Sequence, residues 1–342
     1  MPLSLIRQRV NGDPSQMDKV LIAPAPLANV EGQFVRVLRN AGFELVYPGK
    51  GHQLTEDELL VALDGVRASV AGSEPYTPKV LAAHPQLRVI ARVGVGYDAV
   101  DVPAATARGV AVAIAPGTNQ DAVAEHTFLL MLGLVKNIIS QHLGVKSGGW
   151  PRGTNLPLRG RTLGIAGLGR IGKAVALRGE VFGMRLLAYE PYPDKAFVAE
   201  HKVELVPFER LLAESDFLTL HLPMTAESKH LINRRTLALM KPTAFLINTA
   251  RGGLVCEEDL LEALRTNKIA GAGLDVFEEE PPGKNPLFQL ENVLLTPHAA
   301  GGDLQSRDDM SLSAAEAIVA LSRGEWPAEK VVNPEVRERF RW

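Results

Sequence analysis

The chain has one cysteine, Cys256, and so cannot close an intrachain disulfide. That excludes a disulfide-stapled secreted scaffold and predicts a reducing compartment, the cytoplasm. No apolar run reaches the roughly 20 residues that span a bilayer, so no membrane partner is expected. The opening stretch MPLSLIRQRVNGDPSQ lacks an apolar core followed by a small-residue cleavage site. Neither sign of charge dominates: 37 Lys and Arg against 39 Asp and Glu leave a formal net charge of -2. A polybasic surface for nucleic acid is thereby excluded. Internal repeats and low-complexity segments are missing too, and no metal site is read. What remains is a 342-residue chain, 46% hydrophobic and 22% charged, which is enough for two globular domains.

Short apolar runs alternate with amphipathic stretches along nearly the whole length, the pattern of parallel sheets covered by helices. In the first third, strands are predicted at Val20–Ala23, Glu44–Tyr47, Ser69–Ala71, Val89–Arg92 and Val110–Ile114. Helices are predicted at Gln33–Asn40, Glu56–Leu63 and Pro103–Ala107. A second series has strands at Thr162–Ala166, Arg185–Tyr189, Phe217–Leu220, Ala244–Asn248, Gly271–Asp275 and Val293–Leu295. Its helices are expected at Ile171–Phe182, Phe208–Ala213, Arg235–Leu239 and Glu258–Arg265. Between the series, Asn119–Leu143 reads as one long helix capped at Thr118 or Asn119, with apolar residues on more than one face. A last helix, about Asp303–Arg323, could return to the first unit.

Directly after the strand at Thr162 comes Gly167-x-Gly169-x-x-Gly172. Gly167 permits a tight turn, Gly169 lets backbone approach a pyrophosphate, and Gly172 allows close packing of the helix whose N-terminus faces the phosphates. Such turns are common, so the context matters. The next strand ends in Tyr189-Glu190, a carboxylate 18 residues past Gly172. It could accept from the ribose hydroxyls and would repel a 2′-phosphate. Pro191-Tyr192-Pro193 holds no Arg or Lys to counter such a phosphate, which favours NAD over NADP. The bland alternative is that Glu190 only caps a strand end.

Three charged residues follow strands of the second series, where a doubly wound sheet gathers its ligands. Arg251 stands in Asn-Thr-Ala-Arg-Gly-Gly, Glu280 in Asp-Val-Phe-Glu-Glu-Glu-Pro-Pro, and His298 in Thr-Pro-His-Ala-Ala-Gly-Gly. Reducing a 2-keto acid needs one of each kind. A guanidinium grips the carboxylate and polarises the carbonyl. A histidine exchanges the proton of the hydroxyl. A carboxylate orients the imidazole and favours its charged form. Singly, each residue fits a surface ion pair, a solvated Glu run or a turn histidine; together they favour chemistry.

These segments resemble the D-isomer-specific 2-hydroxyacid dehydrogenase family, which includes 3-phosphoglycerate dehydrogenase and glyoxylate/hydroxypyruvate reductase. The resemblance runs from Val20 to the helix after Gly301. It is most specific in Leu163–Gly172, Leu246–Gly253, Gly273–Pro281 and Thr296-Pro-His298. It implies an NAD-dependent enzyme with Arg251 on the substrate, Glu280 paired with the histidine, and His298 as acid/base. Of the three consecutive glutamates it selects Glu280, because the family's glutamate directly precedes the proline. It also implies two doubly wound domains: a flavodoxin-like substrate domain at 1–117 and 300–342, split around a Rossmann NAD-binding domain at 118–299. Crossings near Pro116–Asn119 and His298–Gly301 would serve as hinges. Further cofactor contacts carried over are Arg170 and Ile171 at the pyrophosphate, Thr249, Ala250 and Arg251, Asp275 near the carboxamide, and His221 and Pro223 on the adenosine side. His298 and Thr127 would reach the nicotinamide; Thr127 could equally be a buried helix hydroxyl.

By the same resemblance, the amides of Gly94, Val95 and Gly96 hold the substrate carboxylate, although Ala99 replaces the family's usual Asn. A homodimer through 119–143 is implied, and the short run after His298 predicts no added regulatory domain. Within the family, the loop Ala71-Gly-Ser-Glu-Pro-Tyr-Thr77 offers no basic side chain for a phosphorylated substrate, and Arg92 is the nearest candidate. Glu280 argues against formate dehydrogenases, which resemble a version with glutamine there. A dinucleotide-sensing corepressor or binding protein on the same scaffold stays open at this point.

Overall fold

The computed structural model describes residues 17–342, so the opening stretch read for a leader lies outside the described residues. The chain divides into two units, Met1–Thr118 with Leu304–Trp342, and Asn119–Asp303.

The first unit holds five parallel strands: β1 Lys19–Ile22, β2 Glu44–Val46, β3 Val66–Ala71, β4 Val89–Arg92 and β5 Ala111–Ala113. Their order, β2-β1-β3-β4-β5, is the flavodoxin-like doubly wound order. Strands β3 to β5 are almost wholly buried, as expected for a sheet covered on both faces. β3 begins at Val66, before the run expected from its apolar pattern, because Arg67 interrupts that run. The Arg67 guanidinium lies over the Trp342 ring, 5.8 Å from its centroid, so its charge does not break the strand. The last helix, Leu304–Ser322, does return to this unit: Ala314, Ala315 and Ile318 share a core with Phe34, Val35 and Leu38 of the helix Gln33–Asn40. A helix absent from the expected set, Pro78–Ala83, is opened by the Thr77 hydroxyl accepting from the Val80 amide.

The second unit holds seven parallel strands: β6 Thr162–Ala166, β7 Arg185–Tyr189, β8 Glu204–Leu205, β9 Phe217–Leu220, β10 Phe245–Asn248, β11 Gly271–Leu274 and β12 Val293–Leu295. The order is β12-β11-β10-β9-β6-β7-β8. Counted from β6 this is the Rossmann order with one more strand, and the chain reverses direction across the sheet between β6 and β9. All carboxyl ends therefore lie along one edge. β8 and the short helix Lys195–Glu200, capped by Asp194, are additions to the expected elements.

The expected single helix over Asn119–Leu143 is corrected to two, Gln120–Lys136 and Ile138–Lys146, bent by 61° at Asn137. Asn137 adopts φ 49° and ψ 38°, the left-handed conformation that asparagine tolerates better than other side chains, and it ends the first helix. Apolar character continues past the break, which is why periodicity alone joins the two. The first helix packs its Ala124, Phe128, Leu130, Met131 and Val135 into the core of the seven-stranded unit. The second buries none of its residues.

Candidate active site

The Gly-rich turn joins β6 to the helix Arg170–Val181, with Gly169 as N-cap. Gly167 has φ +95°, and a Cβ there would stand 2.6 Å from the His221 carbonyl oxygen at the end of β9. A Cβ on Gly172 would stand 2.0 Å from the Gly167 carbonyl, so the helix closes on its own turn only with glycine. A Cβ on Gly169 meets nothing within 4 Å. The space beside Gly169 is thus open, and no side chain caps the helix N-terminus. An anionic pyrophosphate fits this cradle. Arg170 is exposed at its lip and Ile171 is half-buried.

Glu190 follows β7, and both its oxygens are held by main chain. Oε2 accepts from the Leu168 amide at 2.9 Å, and Oε1 accepts from the Tyr192 amide at 2.9 Å. The carboxylate is therefore clamped to the glycine turn itself. His221 begins the loop after β9; its Nε2 pairs with the Thr219 hydroxyl at 2.9 Å. Burial pushes its pKa down to about 3, so the ring is neutral at physiological pH. Among the described residues nothing partners its buried Nδ1. Pro223 is exposed two residues on.

The charged trio comes from three strands that are neighbours in the sheet, β10, β11 and β12. Arg251 closes the turn after β10. Asn248, the last residue of that strand, donates from its side chain to the Arg251 carbonyl at 2.9 Å and accepts from the Ala250 amide at 3.0 Å. Gly252 lies so close to the loop after β11 that a Cβ would stand 1.9 Å from the Phe277 carbonyl. That loop carries Glu280. Its Oε1 accepts from the Phe277 amide at 3.0 Å, and its Oε2 lies 2.6 Å from His298 Nδ1. Burial raises the Glu280 pKa, but the hydrogen bond and charge of His298, the Phe277 amide and the charge of Arg251 outweigh it. The carboxyl sits below its ordinary range. Nδ1 of His298 is tied to a carboxylate, and the side chain is 46% exposed.

His298 has φ 52°, and its amide donates to the Asp275 carbonyl at 2.7 Å. The Asp275 side chain is fully buried. It accepts from the Thr296 hydroxyl at 2.6 Å and from the amides of Ala299 and Ala300 at 2.8 and 2.9 Å. Asp275 therefore fastens the turn that carries His298. Thr127 is fully buried as well, donating to the Val123 carbonyl at 2.9 Å and meeting the Thr249 hydroxyl at 3.1 Å. Sequence reasoning missed Asn248, Gly252 and Thr296. A polar residue closing an apolar strand, as in Leu-Ile-Asn, was the available signal for Asn248.

In the first unit, the loop after β4 is held to the loop after β3. Val93 donates to the Ala71 carbonyl at 2.8 Å, and Arg92 Nε donates to the Gly96 carbonyl at 2.9 Å. Arg92 is buried and turned onto main chain, its Nη1 donating to the Ala71 carbonyl at 3.4 Å. Glu74 is also buried, accepting from the Gly72 amide at 2.6 Å, and burial raises its pKa.

Residues 128–300 match the family model of the NAD binding domain of D-isomer specific 2-hydroxyacid dehydrogenases. The chain is 44% identical over 271 residues to a glyoxylate reductase of Korarchaeum cryptofilum, covering 77% of this chain and 81% of that one. It is 42% identical over 303 residues to a D-3-phosphoglycerate dehydrogenase of Methanocaldococcus jannaschii, covering 87% of this chain and 57% of that one. The chain thus spans little more than half of that phosphoglycerate dehydrogenase. Among solved structures, the D-lactate dehydrogenase of Aquifex aeolicus, in complex with NAD and lactic acid, superposes with a TM-score of 0.81. Identity is 28%, and the match covers 92% of this chain and 99% of that one. The TT0316 protein of Thermus thermophilus gives a TM-score of 0.82 at 35% identity, covering 92% and 99%. With an open Gly-rich turn at a helix N-terminus, a sheet in Rossmann order and these relatives, the chain belongs to the D-isomer specific 2-hydroxyacid dehydrogenases, NAD-dependent enzymes.

Proposed function

We propose that the chain interconverts a small, unphosphorylated 2-keto acid and its D-2-hydroxy acid, with His298 as the acid/base. The single observation that carries this is the 2.6 Å contact of His298 Nδ1 with Glu280, whose carboxyl also feels the charge of Arg251. Glu280 holds the ring in one orientation and balances the imidazolium, which gives its Nε2 proton to the forming alkoxide. Arg251 grips the acid's carboxylate and polarises its carbonyl. The amides of Gly94, Val95 and Gly96 are assigned to the same carboxylate. Gly167, Gly169, Arg170, Ile171 and Gly172 would hold the pyrophosphate, and Glu190 the ribose hydroxyls. His221, Pro223, Thr127, Thr249, Ala250 and Asp275 complete the assigned cofactor surroundings, Thr127 and Asp275 from behind it. Once bound, NADH supplies the hydride.

Two features favour an unphosphorylated acid. The 71–77 loop has Glu74 and no basic side chain, and Arg92 already donates to two carbonyls. A substrate phosphate would need basic groups there. The test is turnover with NADH on a panel of glyoxylate, hydroxypyruvate, pyruvate and phosphohydroxypyruvate. We expect the first two to have the highest kcat/KM. Preference for the phosphorylated acid overturns the substrate reading; NADH binding without turnover of any 2-keto acid overturns the enzymatic one and favours a dinucleotide sensor.

A homodimer is part of the proposal. Ile138, Ile139, Leu143, Val145 and Trp150 are 50 to 77% exposed along one stretch after the bend. An apolar surface of that extent calls for a partner, and a second copy of this chain is the one assigned. The cytoplasm, where a lone thiol stays reduced, is the assigned compartment.

A further inference from the structure

The hydroxyl of Thr296 has only one proton, and its two neighbours fix where that proton goes. Asp275 Oδ1 lies 2.6 Å from Thr296 Oγ1, and the same carboxylate already accepts from the amides of Ala299 and Ala300. A carboxylate only accepts, so the hydroxyl proton points to Asp275. His126 Nε2 lies 2.9 Å from the same Thr296 oxygen, which must then accept, and 3.5 Å from Asp275 Oδ1 itself. His126 therefore carries its proton on Nε2. The chain of donors runs from His126, on the helix Gln120–Lys136, through Thr296 to Asp275, and ends on the two amides that directly follow His298.

We propose that His126 is a positioning residue for the reaction. It touches no reacting atom. It fixes the Thr296 hydroxyl and faces the Asp275 carboxylate directly, and that carboxylate pins the 298–300 turn. His298 sits there in a left-handed conformation, and such a conformation persists only where its surroundings over-determine it. Losing this donor leaves the Thr296 oxygen and the Asp275 carboxylate without the N–H they share, and both are held less firmly behind the turn. The inference rests on His298 being the acid/base.

Two measurements test it. In steady-state kinetics, His126→Leu keeps bulk without a donor, and His126→Gln places an amide N–H close to the imidazole Nε2. We expect the Leu variant to lose about 10- to 100-fold in kcat with KM for NADH nearly unchanged, because misplacing a catalytic group acts on the chemical step. The Gln variant should recover to within about threefold of the parent. Equal kcat in the Leu and Gln variants, or an unaltered kcat in the Leu variant, overturns the proposal. In a long-range 1H–15N spectrum of protein labelled in its histidines, His126 should carry a proton on Nε2, and Thr296→Val should shift that nitrogen's resonance. An Nδ1–H form in the parent overturns the proposal whether or not the variants fold. The reading of His298 is separable: near-normal turnover in His298→Ala removes the acid/base role while the tautomer result stands.

Discussion

Glu280 reaches His298 Nδ1 with one carboxylate oxygen, at 2.6 Å, and accepts the Phe277 amide with the other. The charge pair belongs to the ionised carboxylate, whose pKa in the folded protein lies below its ordinary value. A carboxyl shifted downward contributes stability that is present above its unfolded pKa and lost as the pH falls through the folded one. We therefore expect Glu280→Gln to reduce turnover by about tenfold to a hundredfold near neutrality. The stability difference from the parent should close as the pH drops below the ordinary glutamate range. Thermal melts of both proteins from pH 7 down to 3 check this, and a constant gap across that range contradicts it.

His298→Ala removes the proposed acid/base but none of the groups assigned to the dinucleotide pyrophosphate. Turnover should fall by a factor on the order of 10² or more, with NADH affinity nearly unchanged. Fluorescence titration of NADH beside steady-state kinetics separates the two effects. Near-normal turnover would remove His298 from the mechanism.

Glu190 offers a carboxylate beside the glycine turn, fixed by the amides of Leu168 and Tyr192. NADH should be preferred over NADPH, because the 2′-phosphate would meet this negative charge. In Glu190→Ala the KM for NADH should rise by about tenfold while that for NADPH changes less, narrowing the preference. Equal use of both cofactors by the parent would show that Glu190 does not discriminate.

Gly252 carries the approach of the Arg251 turn to the Glu280 loop. An alanine Cβ would lie 1.9 Å from the Phe277 carbonyl, so one of the two loops must move. Overpacking of this kind costs about 1–3 kcal/mol. Gly252→Ala should lower Tm by several degrees and kcat by more than its small size suggests. A variant with the parent's Tm and kcat would mean that the loops adapt freely.

The dimer assignment is checked by hydrodynamics. Leu143→Asp puts a charge into the exposed apolar stretch after Asn137, where leucine is 58% exposed. We expect the parent to sediment as a dimer and the variant as a monomer at micromolar concentration. A monomeric parent would sink the assignment.

Much of the fold was legible in order. Buried parallel strands read as continuous apolar runs, and glycine spacing marks the place where a strand turns onto a phosphate-facing helix. Arg251 and His298 could be singled out because each follows such a run, while Glu280 was told from Glu278 and Glu279 only by the family resemblance. Local sequence did not reveal the break at Asn137, since apolar residues continue on both sides and only the backbone dihedral changes there. Nor did it reveal β8, whose two residues pair at an edge. Strand order was the decision of tertiary structure. Because β10, β11 and β12 are neighbours, residues scattered over 47 positions between Arg251 and His298 share one edge of a sheet. Only that pairing brings Glu280 within reach of His298 and lets the buried Asp275 hold the turn from behind. Spacing along a chain says which residues follow a strand, while hydrogen bonds between strands settle which of those residues meet.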